Sequence, residues 1–185
     1  RTPVELVAAR IGDAEAIFTN KTIINADAIA AAPNLKFIGV LATGYNVVDV
    51  EAAKKHGVVV SNAPGYSTNS VAQMVFGLLL EVCLNVGHHA RTVREGKWTR
   101  SPDFAYWDFP LIEIHGKTPG LVGFGSIGQA VARIAEAFGM QVRVFNRTGR
   151  PELETAAIKF ADLDTVLRES DVISLHVPLA DNTKG

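Results

Sequence analysis

Short apolar runs alternate with helical ones along the first third of the chain. AIFT (16–19), KFIGVL (36–41) and VVVS (58–61) are bounded by Gly, Pro or Asn, the pattern of strands buried on both faces of a parallel sheet. Between them, ADAIAAA and DVEAAKK have helical composition, and Asp49 is placed to cap the second of these. Strand and helix in alternation predict βαβ units. A long helix should follow GYSTNSVAQ, where Ser70 and Gln73 have capping-box spacing and Ser67 is the alternative cap. Val71, Met74, Val75, Leu78, Leu79 and Val82 recur at helical spacing and predict a buried stripe, with Met74 and Cys83 as core residues.

The periodicity then breaks. REGKWTRSPDFAYWDFPLIEIHGKT holds Trp98, Phe104, Tyr106, Trp107 and Phe109 between prolines. A loop of this length is uncommon inside a compact domain unless it is functional or covered. So many aromatic residues would leave an exposed apolar patch on a monomer, so the segment reads as a domain linker or a partner-facing arm. Beyond it the alternation resumes: a strand at Leu121 and Val122, a helix over 129–138, the strand QVRVF, a short helix in FADLDTVLRESD, and the strand 172–175.

Composition narrows the class. The 185 residues carry a net charge of −1, are 48% hydrophobic and include one cysteine, Cys83. A near-neutral balance argues against nucleic-acid and membrane-surface partners, which select for a basic face. The helix after NAPGYSTNS has no basic face either. A lone cysteine excludes an internal disulfide framework and fits a reducing compartment. RTPVELVAAR lacks the apolar core of a signal peptide. VAQMVFGLLLEVCLNVG is interrupted by Gln73, Glu81 and Asn85 and is short for a bilayer span. These features predict a cytoplasmic protein.

The chemistry concentrates in GKTPGLVGFGSIGQAVARIAEAFGMQVRVFNRTGR. Gly123, Gly125 and Gly128 fit G-x-G-x-x-G, and here the motif follows a strand, opens a helix and precedes a second strand, the context a dinucleotide site requires. Gly123 permits the tight turn, Gly125 lets the backbone approach a pyrophosphate, and Gly128 lets the helix pack close to the strand. The free N–H groups near Ser126 and Ile127 then face the phosphates at the positive end of the helix.

The end of the second strand discriminates between cofactors. An NAD site places a carboxylate there for the ribose hydroxyls, whereas this chain has Asn146, then Arg147, Thr148 and Arg150. A carboxylate about 4 Å from a ribose phosphate would cost roughly 4 kcal/mol per unit charge at an effective dielectric of 20. Asn146 removes that repulsion, and Arg147 and Thr148 can donate to a phosphate. NAD and NADP both fit, with the balance towards NADP. The last strand ends in His176, Val177 and Pro178, at the sheet edge where ligands of open α/β sheets gather. No carboxylate partner for His176 can be read from sequence, which makes it a structural histidine before a catalytic one. His88 and His89 are adjacent on a helix and face different ways, so no metal pair is expected.

These motifs, with ATGYNVVDVEAAKKHGVVVSNAPGYSTNSVAQ upstream and SLHVPL at the end, resemble the D-isomer-specific 2-hydroxyacid dehydrogenases over essentially the whole chain. EGKWTRSPDFAYWDFPLIE is most similar to the glycerate dehydrogenase (hydroxypyruvate reductase) branch. The resemblance implies an α/β fold of Rossmann-like parallel sheets in parts of two lobes, with the active site in the cleft between them. Residues 1–93 would form an incomplete substrate lobe, ending in a long helix that crosses between lobes. Residues 94–185 would form the aromatic arm, used for homodimerisation, and the first half of the cofactor lobe. It further implies that the Thr43–Gly44 loop meets the carboxylate of a 2-oxo or 2-hydroxy acid, that Tyr66 lies near the substrate, and that Ser126, Ile127, Asn146 and Val177 touch the cofactor. The family's catalytic Arg, Glu and acid–base His match no position here. The chain then reads as an internal fragment whose catalytic set lies beyond Gly185, and it is expected to be inactive by itself. A dinucleotide-binding sensor or corepressor on the same fold is the alternative. Two departures stand out: Pro119 in place of a common Leu, which puts strand pairing there in doubt, and Gln73 in place of a common Glu.

Overall fold

In the computed structural model, which describes residues 2–179 and Thr183, Ile38 and Val40 are almost fully buried because their strand is flanked on both sides. β1 (Ala16–Thr19), β2 (Phe37–Val40) and β3 (Val59–Asn62) form a parallel sheet in that spatial order. The register sets Phe18 beside Gly39 and Gly39 beside Ser61. Helices α1 (Val7–Ile11), α2 (Ala26–Ala30) and α3 (Val50–Lys55) supply Val7, Ile11, Ile29 and Ala53 to this core. Fully burying a Val or Ile side chain stabilises the fold by about 1.5–3 kcal/mol. Asp49 caps α3 as its position predicts, accepting from the Ala52 N–H at 2.9 Å, and Asn25 caps α2 in the same way.

The second compact unit starts at Thr68, upstream of residue 93, where the resemblance ends the substrate lobe. It opens with α4 (Thr68–Leu84) and α5 (Val86–Arg94), separated by Asn85 in the left-handed region at φ 49° and bent by 64°. No single helix among the described residues is long and apolar enough to cross a membrane. Then come β4 (Pro119–Val122), α6 (Ser126–Ala137), β5 (Val142–Phe145), β6 (Ile158–Phe160), α7 (Leu163–Glu169) and β7 (Val172–Leu175). The four strands are parallel in the order β6-β5-β4-β7. Leu121, Val142 and Val144 are wholly buried, with Met140, Val131 and Ala135 packed around them.

Three details depart from the sequence expectations. First, α4 begins at Thr68, so Ser70 lies inside the helix and Ser67, the alternative cap, immediately precedes it. Second, the buried line of α4 is Ala72, Phe76 and Cys83, not the expected stripe: Met74, Leu78 and Val82 are 60%, 61% and 73% exposed. The helix is rotated because it packs on α6, with Phe76 stacked against Phe138 at 5.3 Å. Leu78 and Val82 instead line an apolar cleft of about 280 Å³ with Pro119, Val172 and Ser174. Third, α6 starts three residues before the expected 129, directly after Gly125.

Pro119 keeps its pairing. It is the first residue of β4 and stands in register with Val172, a position where the missing N–H costs no interior ladder bond. The aromatic segment has neither helix nor strand but is tied down. Asp108 pairs with Lys97, Trp98 donates to the Phe104 carbonyl at 2.9 Å, and Ile114 re-enters the core.

Candidate functional site

The glycine loop lies at the carboxyl end of β4, between the ends of β5 and β7. Each glycine meets a different constraint. Gly123 has φ +97°, and a Cβ there would lie 2.5 Å from the His176 carbonyl oxygen, so both conformation and space demand glycine. A Cβ on Gly128 would fall 2.4 Å from the Gly123 oxygen, so this residue lets the first turn of α6 sit on the loop. Gly125 faces open space, with nothing within 4 Å of an added Cβ. That is the surface a pyrophosphate needs for backbone approach.

No side chain caps α6 and no acidic residue occupies its first turn, which leaves the N–H groups around Ser126 and Ile127 presented to the positive end of the helix dipole. The Gln129 amide donates to the Phe124 carbonyl at 3.1 Å and braces the loop from the helix side. Asn146 braces it from β5. Its Oδ1 accepts from the Phe124 N–H at 3.1 Å, and its Nδ2 donates to the Thr148 carbonyl at 2.7 Å. Arg147, Thr148 and Arg150 follow on an exposed turn, and neither arginine forms an ion pair among the described residues.

His176 donates its backbone N–H to the Val122 carbonyl at 2.7 Å, and its Nε2 lies 3.0 Å from Ser174 Oγ. Burial pushes its imidazole pKa down, which favours the neutral ring. Its main chain is packed under Gly123, with Val177 beside it and Pro178 following. These residues fit a dinucleotide: an open glycine, a bare helix start and an unpaired cationic turn converge on one sheet edge.

In the first unit, the loop after β2 carries Thr43 and Gly44, both exposed, and Tyr66 follows β3 and is 67% exposed. Two residues here escape the sequence reading. Asn20, just past β1, donates to the Leu41 carbonyl at 2.9 Å, and Asn62, the last residue of β3, donates to the Thr43 carbonyl at 2.8 Å. The signal available was an amide side chain directly after an apolar strand, at the edge where ligands bind.

A histidine–carboxylate pair was also not foreseen. His88 Nε2 lies 2.7 Å from Asp108 Oδ2, while the Arg91 guanidinium donates to His88 Nδ1 at 3.1 Å. The hydrogen bond from His88, then that from Lys97, holds the Asp108 carboxyl below the usual carboxylate range. With both ring nitrogens engaged, His88 has no lone pair left for a substrate proton. It fastens the aromatic arm to α5. The rings of His88 and His89 are nearly perpendicular, with centroids 5.3 Å apart.

Comparison with known proteins agrees with this geometry. Residues 76–185 match the family D-isomer specific 2-hydroxyacid dehydrogenase, NAD binding domain. A hydroxypyruvate reductase of Blautia hydrogenotrophica is 50% identical over 184 residues, covering 100% of this chain and 57% of that protein. A glycerate dehydrogenase of Methylorubrum extorquens is 41% identical, covering 100% of this chain and 56% of its own length. Among solved structures, an acyclic imino acid reductase in complex with NADPH and D-Arg superposes with a TM-score of 0.81 at 34% identity, over 98% of this chain and 57% of that one. The chain thus spans a little over half the length of the curated relatives it matches. The chain belongs to the D-isomer-specific 2-hydroxyacid dehydrogenase family.

Proposed function

We propose that the full-length protein reduces a small 2-oxo acid, hydroxypyruvate or glyoxylate, to the 2-hydroxy acid with NADPH or NADH. The observation that carries this reading is the start of α6, uncapped and free of acidic residues in its first turn, with Gly125 open beside it and Gly123 packed against the His176 main chain. The relatives named hydroxypyruvate reductase and glycerate dehydrogenase favour the first of these substrates.

In this reading Gly125, Ser126 and Ile127 receive the pyrophosphate, and Gly123 and Gly128 shape the loop. His176, Val177 and Pro178 close the strand-end side. Asn146, Arg147 and Thr148 receive the adenosine ribose, and the uncharged Asn146 followed by Arg147 and Arg150, which form no ion pair among the described residues, favours a ribose phosphate, hence NADP. The bound nicotinamide supplies the hydride. Thr43 and Gly44 orient the substrate carboxylate, with Tyr66 near the substrate. The boundary at 93/94 is then a functional division between lobes, and the compact units divide earlier, at 67/68.

Among the described residues the single His–carboxylate pair, His88 and Asp108, has no free ring nitrogen, so this chain alone is expected to be inactive. Exposed Phe104 and Trp107 support a homodimer through the aromatic arm, and the unpaired, buried Cys83 supports a cytoplasmic location. The test is cofactor oxidation by the full-length protein with hydroxypyruvate or glyoxylate, comparing NADPH with NADH. Absence of turnover with either acid overturns the reading.

A further inference from the structure

We propose that Asn62 and Asn20 are positioning residues that set the Thr43–Gly44 loop with its N–H groups outward for the substrate carboxylate. This rests on the substrate reading above but names residues it did not include.

Three successive carbonyls of the loop are all occupied from the flanks. Leu41 O accepts from Asn20 Nδ2 at 2.9 Å, Ala42 O from the Ala63 N–H at 3.1 Å, and Thr43 O from Asn62 Nδ2 at 2.8 Å. The Thr43 hydroxyl adds a bond to Ala63 O at 3.3 Å. The donors thus come from the ends of both neighbouring strands, β1 and β3. The N–H groups of Thr43 and Gly44, by contrast, have no hydrogen-bond partner among the described residues. Gly44 leaves the approach open, since an added Cβ would meet only Asn46 Oδ1, at 3.5 Å.

A peptide unit is a dipole, so fixing its carbonyl fixes where its N–H points: the Thr43 carbonyl held by Asn62 sets the Gly44 N–H, the Ala42 carbonyl held by the Ala63 N–H sets the Thr43 N–H, and Asn20 anchors the loop one peptide earlier, at Leu41. A free carbonyl turned to the site would repel a carboxylate, and a free N–H attracts it. Asn is the side chain that does this at Asn62 and Asn20 without adding charge. Asp would set an anion against the loop carbonyl and beside the bound acid. The two amides work from opposite flanks, so removing either one frees one end of the loop.

The experiment compares wild type, Asn62→Ala, Asn62→Asp and Asn20→Ala in the full-length protein. It reads KM and kcat for hydroxypyruvate, NADPH affinity by fluorescence, and the thermal midpoint. Loss of one positioning bond is expected to raise KM about five- to tenfold. Carboxylate binding held equally in ground and transition state leaves kcat nearly unchanged. Asn62→Asp should raise KM further than Asn62→Ala. NADPH affinity should stay within about twofold, because Asn62 and Asn20 bond only the Thr43 and Leu41 carbonyls and none of the residues assigned to the cofactor. A lower midpoint with unchanged KM in Asn62→Ala and Asn20→Ala overturns the proposal and leaves the reductase reading standing. If Asn62→Ala does not fold, Asn20→Ala decides by the same criterion. If the wild type reduces no 2-oxo acid, calorimetric titration with oxalate separates the two claims. Binding that Asn62→Ala or Asn20→Ala abolishes sustains the loop assignment while the reductase reading falls, and absent or unaltered binding overturns both.

Discussion

The Asn146 side chain ties the end of β5 to the glycine turn, its Oδ1 accepting the Phe124 N–H at 3.1 Å while its Nδ2 holds the Thr148 carbonyl at 2.7 Å. One amide, with one acceptor end and one donor end, is therefore required at both contacts. Asn146→Asp would keep the first and turn the second into an oxygen facing an oxygen, loosening the turn that carries Arg147 and Thr148. It would also set a negative charge beside any ribose phosphate. The expected result is a loss of NADPH affinity of at least about tenfold, with NADH affinity kept or raised. Fluorescence titration of both cofactors checks it. Equal losses for the two would show that Asn146 shapes the loop without selecting the cofactor.

The three glycines should separate stability from binding. Gly125→Ala meets nothing within 4 Å and has φ −73°. Stability should hold or rise by about 0.5 kcal/mol through the less flexible unfolded chain, while dinucleotide affinity falls because the new methyl stands where the backbone must approach. Gly128→Ala and Gly123→Ala drive a Cβ against backbone oxygens, at 2.4 and 2.5 Å. They should destabilise by about 1–3 kcal/mol. Urea unfolding beside cofactor titration distinguishes the classes.

His176 makes a pH prediction. Burial depresses its folded-state pKa below the ordinary histidine value of about 6.5. The unfolded chain therefore binds the proton first as pH falls, and stability rises with pH wherever it does so. The contribution is complete above the unfolded pKa and is lost as pH drops through that value towards the folded one. His176→Gln should flatten this part of the stability profile. Urea midpoints at mildly alkaline and mildly acidic pH test it, and an unchanged acid slope in the variant would contradict it.

The aromatic arm offers an independent test of assembly. Phe104 is 93% exposed and Trp107 68%, although the segment is anchored by Asp108 to His88 and Lys97. An ordered loop presenting large apolar rings suits a partner surface. Phe104→Asp with Trp107→Asp should convert a dimer to a monomer in sedimentation while NADPH affinity stays intact. A wild type that already sediments as a monomer removes the dimer from the account.

Local rules made much of this legible in the sequence. The strands at AIFT and VISL appear with their expected bounds, the Asp49 cap forms, and the glycine motif lies between strand and helix. Each of these depends on neighbours in sequence. The rotation of α4 was not legible, because Met74 and Phe76 are both apolar and only packing on α6 decides which is buried. β6 was missed because three residues with Lys159 at the centre give no periodicity. Asn20 and Asn62 escaped for a related reason: their partners are 21 and 19 residues away, across strands whose register the sequence does not print.

The most direct test of the central claim is hydride transfer measured as cofactor oxidation, with purified full-length protein, NADPH and hydroxypyruvate. The account predicts saturable oxidation, faster at low cofactor concentration with NADPH than with NADH. Tight NADPH binding with no turnover of hydroxypyruvate or glyoxylate would contradict it and leave a dinucleotide-binding protein without reductase activity.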